Sequence, residues 1–532
     1  MQYMPLLNSG VDFMRFLLAG LAAALVAAPA HADWQVAESD HFVVYADDRP
    51  QDVKEFAEGL ERYHSAMNLL QGRDGTKPSP SGRVTIFVVG NQGKIRKLAG
   101  DDSGNIAGFY VPRASGSVAF VPDIDMGGRE TDFSVTVLLH EYAHHFLISS
   151  SPYALPRWLN EGAAEFFASA KFEKDGGISV GRPAYHRAAE LAYAKDVSVE
   201  ELIDPDLYEK NKGKRFDAFY GRAWALVHYL WFSPERKGQL GAYQRAIFAG
   251  TESRKAAIDT FGDLDILQRE VDRYIDQRRM SVYRFTSDLV PIGPVTVRAL
   301  SEGEGEMMPL RIRSQRGVTR EQALELLPEV RAVAAQYPAD AGVLTALAEA
   351  EYDAGNDAEA IAAADRAIAI DPARKNAYVQ KGYALFRQAE GADDQDAAYA
   401  AAMAPFSALN RLENDHPLPL MYYYRSFVER GETPNENARH ALERASQLAP
   451  FDKGLRMNAA LMQASEGKIA LARYNIAPIA SDPHGGRFAE RAQRYRDAMG
   501  EVEEGKPWHP GVGEMVDVEI ADIASGPDGG DE

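Results

Sequence analysis

His140-Glu141-Tyr142-Ala143-His144 sets two imidazoles four residues apart, with a carboxylate beside the first. On a helix that spacing puts both histidines on one face, where they can turn toward a single metal ion. Glu141 then stands next to them and can hold a water between its carboxylate and that ion. This is the side-chain set of a metal-assisted hydrolase, with Glu141 as general base.

A partner for the pair lies downstream, in Trp158-Leu159-Asn160-Glu161-Gly162-Ala163-Ala164-Glu165. Sixteen residues separate His144 from Glu161. That is enough to finish one helix, turn at Ser149-Ser150-Ser151-Pro152 and return a second helix against the first. Glu161 then gives a third ligand and leaves a fourth position for water, as a catalytic zinc requires. Glu165, one turn further, can bond the outer nitrogen of a ligand histidine and fix its tautomer. The bland alternative is a solvated helix face. Phe166, Phe167 and the small residues 162–164 speak against it, because a buried carboxylate needs a partner. His145 turns about 100° from His144 around the helix axis and reads as structural.

Composition narrows the chemistry. The chain of 532 residues has no cysteine, which excludes disulfides, thiolate-bound metals and a thiol nucleophile. A formal net charge of -20 disfavours nucleic acid and anionic lipid as partners. The length exceeds one hydrophobic core.

The elements that must position the site follow from periodicity. Residues 34–36 and 41–45 alternate as half-buried strands, 52–70 has helical spacing, and 84–89 is a β-branched strand. Residues 106–121 predict a hairpin turning at Ala114-Ser115-Gly116. It could be an ordinary sheet edge, or an edge strand that pairs with extended substrate backbone, as the fold class resembled below implies. A helix capped by Thr131 or Asp132 then carries the histidines. From Pro156 to about residue 279 the chain reads as mostly helical. Strands first and helices later predict an α+β domain.

At these residues the chain resembles the gluzincin metallopeptidases, in which H-E-x-x-H is followed by N-E-x-x-x-D/E. It is most similar to bacterial peptidase-MA-like proteins with a Trp-Leu-Asn-Glu-Gly segment. The resemblance implies that His140, His144 and Glu161 bind Zn2+, that Glu141 is the base, and that Glu165 supports a ligand. Tyr220-Gly221-Arg222-Ala223-Trp224 loosely resembles the aminopeptidase segment whose Tyr stabilises the oxyanion, which would give Tyr220 that task; a Tyr packed on a core helix is the alternative. The Gly-Ala-Met-Glu-Asn segment of those aminopeptidases is absent, so exopeptidase activity is not implied.

The rest of the chain organises around this domain, taken as residues 33–290. Arg15, the apolar run 16–26 and Ala30-His31-Ala32 read as a signal peptide (1–32) cut after Ala32, with a periplasmic or secreted product and no membrane span after its removal. Residues 291–318, with Pro291, Pro294, Gly303, Gly305 and Pro309, read as a linker. Pro338 and Pro372 are 34 residues apart, and Pro417, Pro450 and Pro483 are 33 apart. The interval of 45 between Pro372 and Pro417 implies an insertion near Gly391. A period near 34, with Gly355 at a tight turn, resembles tetratricopeptide repeats. They predict an all-α solenoid over 319–498 that recruits substrate or a protein partner. The acidic tail 499–532 reads as disordered. The expected function is a zinc peptidase acting on a peptide or protein. Its rival is a docking scaffold whose metal module is inactive.

Overall fold

The computed structural model describes residues 34–73, 75, 77–100, 106–126, 131–151, 153–213, 215–482 and 484–511. The expected signal segment, Pro483 and the tail beyond 511 lie outside them. The chain is mostly helical, with two sheets. No described helix is long and apolar enough to cross a membrane.

Three apolar runs make the centre of the larger sheet. β2 (Phe42–Ala46), β3 (Val84–Val88) and β5 (Val118–Val121) run parallel. β1 (Gln35–Glu38) and β4 (Phe109–Val111) flank them antiparallel, and β9 (Thr296–Ala299) pairs antiparallel with β1, in the order β4-β5-β3-β2-β1-β9. Parallel neighbours need crossovers. These are α1 (Pro50–Gln71) between β2 and β3, and α2 (Gln92–Ala99) between β3 and β5. The expected hairpin forms β4 and β5, with Phe109 opposite Phe120.

Both faces of the sheet are buried, which is why its central strands read as continuous apolar runs. Val44, Ile86, Ala119 and Val121 face one side and pack with Leu60 of α1 and with Val135 and Leu139 of α3 (Phe133–Ser150). Phe87, Phe120 and Trp34 face the other.

The cover of that second face corrects the sequence reading. The predicted linker 291–318 is folded. It supplies edge strand β9, in register with β1 from Gln35↔Ala299, and a helix over Glu302–Gln315 whose Met308 and Ile312 close the second face. Pro309 and two glycines argued against a helix, but tertiary packing overrode local propensity. Gly303 is there for space: a Cβ would lie 2.7 Å from Cγ of Tyr337.

The helical block comprises α4 (Arg157–Ala168), α5 (Ala188–Tyr193), α6 (Val199–Ile203), α7 (Pro205–Asn211), α8 (Phe219–Phe232), α9 (Gln239–Phe248), α10 (Ser253–Phe261) and α11 (Leu264–Ile275). It also holds a small sheet, β6 (Lys171–Phe172), β7 (Ile178–Val180) and β8 (Tyr283–Phe285). Strands of two or three residues are too short to show alternation in sequence.

An array of helix pairs follows: α12 (Glu302–Gln315) with α13 (Arg320–Gln336), α14 (Ala341–Asp353) with α15 (Asp357–Ile370), α16 (Lys375–Glu390) with α17 (Gln395–Leu412), α18 (Pro417–Val428) with α19 (Glu436–Leu448), α20 (Lys453–Ser465) with α21 (Ile469–Ala480), and a closing α22 (Gly486–Gly500). Gly355 makes its turn at φ 89°. The first helices from α14 onward start 34, 42, 36 and 33 residues apart. The 45-residue interval read from prolines is therefore misleading: Pro417 opens α18, whereas Pro372 follows the end of α15. The long repeat comes from longer helices α16 and α17. The array also begins at Glu302, ahead of residue 319, and the predicted disordered tail is ordered as far as 511. Trp508 packs on Tyr495, and its backbone N–H donates to the Ala464 carbonyl at 2.9 Å.

The array touches the front of the molecule again beyond α12. Ala114, at the tip of the β4–β5 hairpin, is buried in it. Ala114 belongs to the cluster of Val379, Phe386, Phe406, Tyr422 and Phe451, and its N–H donates to Asp452 at 2.7 Å. Arg113 is surrounded by Glu349, Tyr383, Asp353 and Asp452. Because Met308 joins sheet and array, Met308→Ala should cost about 2–5 kcal/mol, the range for emptying a core site. Denaturant unfolding would measure it; a loss under about 0.5 kcal/mol would return residues 291–318 to the status of a loose connector.

Candidate metal centre

Helix α3 starts where Asp132 accepts a hydrogen bond from the Ser134 N–H at 2.8 Å, one of the two expected caps. Its apolar residues Leu139, Ala143 and Phe146 are spent on the core, which fixes the direction of the remaining face. Tyr63 donates to the Leu139 carbonyl at 3.0 Å, and the Tyr142 hydroxyl pairs with His64 Nδ1 at 2.8 Å. With the helix held on that side, His140 and His144 point at α4.

Helix α4 is positioned by Trp158, whose indole N–H donates to the Tyr243 hydroxyl at 3.1 Å. On its other flank α8 comes so close that a Cβ on Gly162 would sit 2.4 Å from the Ala223 carbonyl oxygen. Only glycine permits that approach, which explains the residue beside Glu161.

The geometry brings four predicted residues together. The Nε2 atoms of His140 and His144 are 3.0 Å apart. Oε2 of Glu161 lies 3.4 Å from each. Nδ1 of His140 lies 3.2 Å from Oε1 of Glu165. Glu161 is completely buried, yet neither of its oxygens accepts a hydrogen bond of good geometry. An anion so placed calls for a cation. Burial alone would push the Glu161 carboxyl up; His144, His140 and His484 outweigh it and hold it well below the usual carboxylate range. For His140 burial works downward, but Glu161 and Glu165 hold its proton well above the usual imidazole range. A divalent cation would replace such protons, so the donor set fits a metal ion.

The fourth member was not foreseen. His484 Nε2 lies 3.2 Å from the other Glu161 oxygen, Oε1. One ligand atom from each of His140, His144, Glu161 and His484 lies within 4.8 Å of all the others, a group that could hold a metal ion.

Sequence reasoning also missed what holds Glu165. His186 Nε2 sits at 2.5 Å from its Oε2, and the Arg187 guanidinium donates to Oε1 at 2.7 and 3.0 Å. Neither residue lies in a motif. The only hint was two basic residues after Pro183, ahead of a helix. Arg187 also lies over the Tyr220 ring, 4.6 Å from its centroid. Tyr220, at the start of α8, has its ring centroid 6.4 Å from that of His140. Glu141 is half-buried on α3 and lines a small hollow with Gly108, Tyr110 and Leu138, next to edge strand β4. His145 bonds the Tyr110 hydroxyl at 2.6 Å and packs on Phe451, away from the group.

Residues 134–246 match the family described as "Protein of unknown function (DUF1570)", about a fifth of the chain. The match holds His140, Glu141, His144, Glu161, Glu165 and Tyr220 but not His484. No curated protein matches the chain. Among solved structures, a thermophilic TPR protein of Thermus thermophilus is similar at 17% identity and a TM-score of 0.30, covering 37% of this chain and 100% of that one.

Two outcomes follow from this packing. Gly162→Val should force α4 off α8, lowering the melting temperature and the metal content together; an unchanged metal content would show that the close approach does not set the position of Glu161. Burial pushes His145, His228 and His416 down to about 4. The unfolded chain takes up those protons near pH 6.5 and the folded chain does not. The contribution of these three histidines to stability is therefore full above about pH 6.5 and falls toward pH 4, by about 2 kcal/mol per histidine at pH 5. Thermal melts across that range would show it, and a flat profile would contradict it.

Proposed function

We propose that the chain is an exported, zinc-dependent peptidase of the gluzincin kind, with a TPR-like array that recruits its substrate or a partner. The observation that carries this reading is Glu161, a fully buried carboxylate that accepts no hydrogen bond of good geometry and faces two imidazole nitrogens from residues four apart on a helix. A donor set of two histidines and a glutamate suits zinc in a hydrolytic enzyme.

His140, His144 and Glu161 would hold the ion, which when bound polarises a carbonyl and acidifies water. The remaining work belongs to side chains and backbone of this chain. Glu141 accepts a proton from the attacking water and passes it to the leaving amine. Glu165, whose Oε1 lies 3.2 Å from Nδ1 of His140, would take the proton on that side of the ring and leave the Nε2 lone pair for the metal, and Arg187 with His186 keeps Glu165 in place. Tyr220 donates to the oxygen that gains charge as the carbonyl is attacked. Edge strand β4, beside Glu141, offers its free backbone groups to an extended peptide. The acidic chain suits substrates other than nucleic acid, and the Ala30-His31-Ala32 pattern supports export.

The scaffold reading has one observation in its favour: His484 makes four protein groups around the centre, and closed sets of four are the pattern of structural metals. Glu141 counts against it, because a structural site has no need of a base.

Glu141→Gln should retain the metal and lower peptide hydrolysis at least about 100-fold, while His144→Ala should lose the metal. Metal analysis of both variants with a turnover assay would decide. Full turnover in Glu141→Gln removes the assigned base; bound metal with no turnover in the wild-type chain and in His484→Ala alike favours the scaffold.

A further inference from the structure

We propose that His484 is a fourth protein ligand of the centre, delivered by the array, and that it caps the position substrate and water would need. The inference rests on the metal-centre reading above. His484 stands 340 positions beyond His144 in sequence, yet its ring centroid is 5.9 Å from that of His144 and its Nε2 is 3.2 Å from Glu161.

The residues on either side of it are tied in place. The backbone N–H of His484 donates to Oδ1 of Asp482 at 3.0 Å, and Gly485 N–H donates to the Asp482 carbonyl at 3.2 Å. The Asp482 side chain is paired with Lys453 at the start of α20, so the turn is pinned to the preceding helix pair. The imidazole approaches from the solvent side. Its side chain keeps 36% of its exposure, while Glu161 has none. It therefore closes the mouth of the centre and does not fill its floor.

The chemistry of that placement is specific. Three protein ligands leave an open coordination position, and a fourth imidazole closes it. Because the imidazole is tethered, it competes with any incoming ligand at high effective concentration. Because it rides on a turn between α21 and α22, a small shift of the last repeat withdraws it while the other three ligands stay on the helical core. The chain as folded is then a latent form, and whatever engages the end of the array controls access to the metal.

The test uses the full-length chain loaded with Co2+, whose visible absorption reports ligand number, and acetohydroxamate as a small metal-binding probe. His484→Ala should change the cobalt spectrum and tighten hydroxamate binding at least about tenfold, the scale of removing a tethered competitor. Asp482→Ala, which keeps the imidazole but frees its turn, should tighten it by a smaller factor. Identical spectra and hydroxamate affinities in all three proteins, each with bound cobalt, overturn the assignment of His484 and leave the centre standing. Failure of the wild-type chain to bind cobalt overturns the centre itself.

Discussion

A carboxylate withdrawn from water has to be matched by positive charge, and Glu161 is the residue on which this chain depends for that match. Its position is costly to set up. It needs α3 turned so that two histidines face outward, α4 returned at the right depth, and α8 close enough that only glycine fits beside it. Desolvation strengthens every interaction inside such a pocket. Removing one partner leaves a buried charge exposed to its neighbours, which is a larger loss than any single contact would suggest.

Around that carboxylate the support is layered. Glu165 meets His140 from behind and is itself gripped by His186 and Arg187. Tyr63, His64 and Tyr142 fasten α3 to α1 on the far side. The orientation of two imidazoles is thus determined by residues spread in sequence from Tyr63 to Arg187, none of which belongs to the candidate metal group itself. That arrangement is what a pre-organised centre demands, since a misdirected ligand weakens metal binding as surely as a missing one.

The parts of this design that are local in sequence were readable. The four-residue spacing of His140 and His144, the Glu four residues after Glu161, the cap at Asp132 and the apolar runs of β3 and β5 are each contained in a short window. What escaped was set by tertiary context. The helix at Glu302–Gln315 contains Pro309 and two glycines, and only the exposed face of a distant sheet explains why it forms. Pro417 mimics a repeat boundary because proline suits the first turn of a helix as well as the segment after one. Trp508 was hidden inside an acidic average composition. His484 carries no signal at all: its meeting with Glu161 depends on the accumulated rotation of stacked helix pairs, a quantity that no pairwise pattern in the chain encodes.

The seating of Ala114 in the array ties the repeats to the edge of the sheet. Arg113 and Ala114 sit among side chains from the first helices of the pairs, with Glu349 and Asp353 on one and Tyr383 on the next. The array thus already holds a segment of its own polypeptide, linked to it through the sheet. Displacing that segment would move the strand that borders Glu141, so the hairpin ties this part of the array to the hollow beside Glu141.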